Sequence, residues 1–237
     1  MALQISALPM LMFILAFFLI DRMSPGPTLT EREAIPFDQP VGGIADLEPD
    51  GILSFIVLLA LGLTIAWIAV AWHRYILLGE RSGLPLPMVN LPEIGLYLIT
   101  LVKMLVLFTL LAIPVLALML IFPALSWSFT GGTPVLVSVG LTFVFLRVGT
   151  ALCAAAMGNG LRLVDAWMST GPHWKSIAVL SVLTVALDTG IGLFLTLLGD
   201  HFFSEALGLA AGWISLFFYL CVLTTLYGHF TENRELG

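Results

Sequence analysis

Three ionisable residues, Lys103, Arg147 and Asp188, stand inside otherwise apolar runs of this chain. Each costs at least about 2.5–3.5 kcal/mol at the centre of a membrane-spanning helix, so such residues pair with one another or line a path for ions or protons. Counted inward from the nearest polar segments, Lys103 and Arg147 lie about nine residues deep and Asp188 about eleven. All three therefore fall within about one helical turn of a common level. This spacing predicts a buried Asp188–Arg147 pair, with Lys103 as the alternative partner or reaching back to the interface. Such a cluster acts either as a clamp between two spans or as a proton or ion relay. One carboxylate with two cations makes a thin relay, and a clamp is the expectation.

Other chemistry finds little to stand on. The sequence carries no nucleophile elbow, P-loop or two-carboxylate constellation. His73, His173 and His229 fall at one boundary of the apolar runs and His201 at the other, with no i,i+4 pair and no Cys/His ligand spacing. They read as lone interfacial histidines, and neither a metal, a haem nor any other cofactor is expected. Asp200, His201 and Glu205 read as a wet turn between two spans. Cys153 and Cys221 lie within apolar runs and read as buried small hydrophobes rather than a redox pair. A formal charge of −6 excludes a basic nucleic-acid-binding face.

The elements that must carry these residues are membrane spans. Hydrophobic residues make up 59% of the 237 residues and charged ones 10%, against about a quarter charged in soluble domains, so lipid must solvate most side chains. The apolar runs predict an all-α polytopic protein, a single membrane domain of six transmembrane helices. Their expected ranges are 2–20, 52–72, 94–122, 134–157, 177–198 and 206–227, with a tilt or kink at Pro114. Lys and Arg set the orientation. Arg74, Arg81, Arg162, Lys175 and Arg234 lie on one side and only Arg22 and Arg32 on the other. Both termini are thereby expected in the cytoplasm, and the acidic, Pro- and Gly-rich loop 21–51 outside, where it could dock a partner. Within the second cytoplasmic loop, Leu161, Val164, Trp167 and Met168 share one face of a short helix suited to the membrane interface. Gly208 and Gly212 form a GxxxG pattern that would let a second backbone approach closely. The tryptophans mark interface depth.

An arginine late in a span (Arg147), a small-residue stretch (Ala154-Ala155-Ala156), then Ala166-Trp167, Thr170-Gly171 and Trp174 form a recurring pattern over about residues 67–198. It resembles bacterial six-span membrane proteins of the kind attached to some glycerophosphodiester phosphodiesterases, together with their free-standing relatives. In those proteins the hydrolytic chemistry belongs to a soluble domain that has no counterpart in this sequence. The resemblance thus implies a membrane fold and no activity. The expected role is a non-catalytic scaffold or accessory subunit of the bacterial inner membrane, packing in the bilayer against another membrane protein. The alternative is a small transporter or channel built on Asp188, Arg147 and Lys103.

Overall fold

The structure, a computed structural model, describes residues 6, 11, 49–80, 90–121, 132–199 and 202–232. The expected first span, 2–20, and the outer loop up to residue 48 lie outside the described residues, residues 6 and 11 apart. Among the described residues every regular element is helical: α1 (Pro49–Leu78), α2 (Leu91–Ile121), α3 (Gly132–Val148), α4 (Thr150–Ala156), α5 (Leu163–Ser169), a 3-10 turn (Gly171–His173), α6 (Trp174–Leu198) and α7 (Phe202–Phe230). Five stretches are long and apolar enough to cross a membrane: Phe55–Leu78, Leu91–Val115, Pro134–Ala156, Gly171–Leu198 and Leu207–Phe230. They match five of the six expected spans, and the chain is an integral membrane protein. Helix α2 runs through Pro114 without ending.

The chain divides into two compact units, one of residues 1–68 with 82–89 and one of residues 69–81 with 90–237. In the first unit, the described part of α1 shows Phe55, Ile56, Leu58, Leu59 and Leu63 at its surface, an apolar exterior suited to lipid. The second unit carries the polar residues of interest. Within it α3 packs along α6, α7 lies against α4 and α6, and α2 packs on α4.

The expected fourth span carries one irregularity at Gly149, between α3 and α4, which keeps helical dihedrals (φ −65°, ψ −20°) and bonds the Phe145 carbonyl through its N–H at 2.7 Å, so α4 continues α3. A Cβ at Gly149 would stand 2.6 Å from Leu223 Cδ2 on α7 and 2.7 Å from the Phe145 carbonyl oxygen of its own helix, so α7 packs there too closely for a side chain. Beyond Gly149 all seven residues of α4, Thr-Ala-Leu-Cys-Ala-Ala-Ala, are buried. Small side chains let neighbouring backbones come close, which is how helices gain packing energy where lipid offers no hydrophobic drive. Gly158, at φ +82°, ends α4 in the left-handed conformation, and the Asn159 N–H bonds back to the Ala154 carbonyl at 2.8 Å.

Buried hydroxyls on the spans satisfy themselves locally. Ser181 donates to the Ala178 carbonyl and Thr184 to the Leu180 carbonyl, both at 2.8 Å. This back-bonding to the preceding turn lets a polar residue sit in an apolar bundle without a partner from another helix.

Candidate functional site

One end of the second unit gathers its polar side chains. There the C-terminal ends of α1 and α7 meet the N-terminal end of α2 and the buried α4. Gly79, at φ +69°, stops α1, and the turn brings Glu80 back to Arg74. Arg74 donates to Glu80 through Nε and Nη2 at 2.8 and 2.6 Å, to Glu93 on α2 at 3.2 Å, and to the Ala156 carbonyl at the end of α4 at 3.3 Å. One guanidinium thus ties α1, α2 and α4, and it holds the Glu80 carboxyl below its usual range chiefly through their hydrogen bond. A fork of five donors makes arginine suited to this multiple role.

His73, the neighbouring residue, is fully buried. Its Nδ1 lies 2.8 Å from Thr224 Oγ1 on α7. Thr224 gives its only hydroxyl proton to the Leu220 carbonyl at 2.6 Å, so the imidazole must donate and carries its proton on Nδ1. Nε2 is then the unprotonated nitrogen, and Cys153 Sγ on α4 packs against the ring, 3.6 Å from Nδ1 and 3.9 Å from Nε2. Tyr97 of α2 packs against the same imidazole, ring centroids 6.2 Å apart. His73 is therefore a polar core residue rather than an interfacial one. Trp72 is buried too, edge-on to Phe217 at 5.0 Å, its indole N–H without a hydrogen bond among the described residues. Cys153 is buried as expected; Cys221 is exposed on the outside of α7.

Arg147 occupies a separate cage where α3, α5 and the start of α6 meet. Its guanidinium lies over the Trp167 ring at 3.5 Å and within 5.7 Å of the Phe143 ring. Nη2 donates to the Trp167 carbonyl and Nε to Thr170 Oγ1 at 3.3 Å. A Cβ on Gly171 would come within 3.4 Å of Nη2. Only 8% of the residue's surface is exposed.

The expected charge cluster does not assemble. Arg147 lies against Gly171, level with the beginning of α6, whereas Asp188 lies 14 residues beyond Trp174, about 21 Å along that helix. Asp188 instead accepts a 2.6 Å hydrogen bond from Tyr219 Oη on α7. Depth counted from Met157 misplaced Arg147, because α4 continues the apolar run past the level at which α6 starts. Lys103 is exposed on the outer side of α2. Ion pairs among the described residues are confined to Arg74 with Glu80 and Glu93 and to Arg162 with Asp165.

The short helix in the loop is present as α5. Val164, Trp167 and Met168 are exposed on it, Leu161 is half-buried just before it, and Ala166 is buried against the bundle. Gly208 makes ordinary contact with Leu195 on α6 and Gly212 meets nothing within 4 Å, so among the described residues no helix approaches the GxxxG pair closely. Of the outer-turn group, Asp200 and His201 lie outside the described residues, as does the Glu205 side chain. Among the described residues no group of three His, Cys, Asp or Glu side chains could hold a metal ion. No family model matches the chain, and no curated protein or solved structure matches it.

Proposed function

We propose that this protein is a non-catalytic integral membrane scaffold or accessory subunit that packs against another membrane protein. Lys103 carries the reading. It lies 12 residues past Leu91, about 18 Å along α2 and near the middle of a ~30 Å hydrocarbon core. Leu101, Val102, Leu105 and Val106 around it are all exposed, and no ion pair among the described residues includes it. An ammonium left at that depth facing lipid costs several kcal/mol; a carboxylate on a neighbouring transmembrane helix removes the cost. The polar residues elsewhere are spent on holding this chain's own helices: Arg74 and His73 at one end, Arg147 on α5, Asp188 on Tyr219.

A transporter finds less support, because Arg147 sits at the start of α6, far from the level of Lys103 and Asp188, and no ion pair among the described residues joins any of the three. The basic residues Arg74, Arg162 and Lys175 favour a cytoplasmic placement of the His73 end. We likewise propose kinship with the six-span membrane domains that the sequence resembles. Its motif residues Trp167, Thr170 and Gly171 are those that cage Arg147, a physical reason for them to occur together. The experiment is gentle extraction into native nanodiscs and comparison of particle mass for wild type and Lys103→Met. The scaffold role predicts a wild-type particle heavier than the single chain and a variant particle reduced to it. Equal masses at that of the single chain refute it.

A further inference from the structure

We infer that the corner where α3, α5 and the start of α6 meet binds the phosphate of an anionic membrane lipid, with Arg147 and Lys175 as its cations. Arg147 is more than nine-tenths buried, yet the two groups that accept its hydrogen bonds, the Trp167 carbonyl and Thr170 Oγ1, are both neutral. The nearest acidic residue in sequence, Asp165, is already held by Arg162 at 2.9 and 3.1 Å. The positive charge of Arg147 therefore has no counter-ion among the described residues. Its third nitrogen, Nη1, makes no hydrogen bond among them and is not sealed from the surface.

A second cation, Lys175, lies in the first turn of α6. It follows by four residues Gly171, at which a Cβ would come within 3.4 Å of the guanidinium. Lys175 is exposed, with its ammonium 5.9 Å from the Trp174 ring. The start of α6 adds the partial positive charge of its own amides. Around these charges Val164 and Met168 are more than three-fifths exposed and Trp174 about half, which presents an apolar rim to whatever carries the anion. Cations set in an apolar rim match a phospholipid, whose phosphate meets Arg147 and Lys175 while its chains cover Val164, Met168 and Trp174. An acidic protein segment would meet the charges and leave that rim bare.

This site is independent of the partner proposed for Lys103, and it is tested on the full chain in detergent. The protein is equilibrated with micelles holding equal amounts of phosphatidylglycerol and phosphatidylcholine, and retained lipid is quantified by mass spectrometry. Wild type should retain phosphatidylglycerol over phosphatidylcholine by about tenfold, the effect of one charge-assisted contact. Lys175→Gln, at an exposed position, should lower that preference several-fold without changing the melting temperature. Arg147→Lys keeps the charge and loses the fork, and should fall between the two. Equal retention of both lipids by wild type, or an undiminished preference in Lys175→Gln, overturns the proposal. Displacement of the lipid by inorganic phosphate alone at comparable concentration would mark a free-anion site, and a co-purifying acidic protein in place of lipid a protein contact; either also overturns it.

Discussion

Replacing Gly149 with alanine puts a methyl group where none fits. The new Cβ would lie 2.6 Å from Leu223 Cδ2 and 2.7 Å from the Phe145 carbonyl oxygen, against about 3.5–4.0 Å for comfortable carbon contacts. Leu223 is itself buried, at 2% exposure, so it has no lipid-facing space to swing into. Either α7 moves away or the helix bends at Gly149. Overpacking of this kind costs about 1–3 kcal/mol, while the lower backbone freedom of alanine returns about 0.5–1 kcal/mol. A net loss of about 1–2 kcal/mol is expected, a sizeable part of an ordinary stability of about 5–15 kcal/mol. Leu223→Ala alone should cost about 2–5 kcal/mol through its cavity. The double variant should cost less than the sum, by about 0.5–3 kcal/mol, because the added methyl takes up part of the vacated space. Unfolding in mixed micelles against rising sodium dodecyl sulfate measures all three. A neutral or stabilising Gly149→Ala, or strict additivity with Leu223→Ala, would refute the close contact of Gly149 with Leu223 on α7.

Asp188→Asn and Arg147→Gln should be additive to within about 0.5 kcal/mol in the same assay, as expected of separate sites; strong coupling would restore the direct pair. Arg74 depresses the Glu80 carboxyl, so their pair contributes fully above the unfolded-state carboxylate pKa and is lost as pH falls through the lower folded-state value. Melting temperature should therefore drop on the acid side, and Glu80→Gln should lower the neutral-pH value while flattening that drop. An unaltered acid limb in the variant would assign the pH dependence to other carboxylates.

Five of the spans could be read directly, because runs such as Leu91–Ile121 are too long and apolar for any other element. The polar sites could not be read in the same way. Hydropathy gives depth only where neighbouring helices end at one level, and the buried α4 carries the fourth span beyond the level at which α6 starts, which shifts Arg147 relative to α6. Tyr219, the partner of Asp188, is neutral and lies on another helix, so charge pairing alone does not point to it. From its place at the end of an apolar run, His73 reads as an interfacial residue. Its burial depends on Thr224 and Cys153, more than a hundred and about eighty residues away. One local signal was available: His73 and Arg74 are consecutive polar residues immediately before Tyr75-Ile76-Leu77-Leu78, so α1 remains apolar beyond them and they are not at its end. The α5 face was legible because Val164, Trp167 and Met168 follow helical spacing and are exposed together.

The scaffold role rests on an outward-facing ammonium in mid-membrane, and photocrosslinking tests it where it stands. A photoreactive residue placed at position 103 in native membranes should give one discrete protein adduct, mapping to a transmembrane segment that carries an Asp or Glu. The same residue at position 104, where Met104 is buried at 4% exposure, should give none. Adducts to lipid alone at position 103, or the same protein adduct from both positions, would contradict the account.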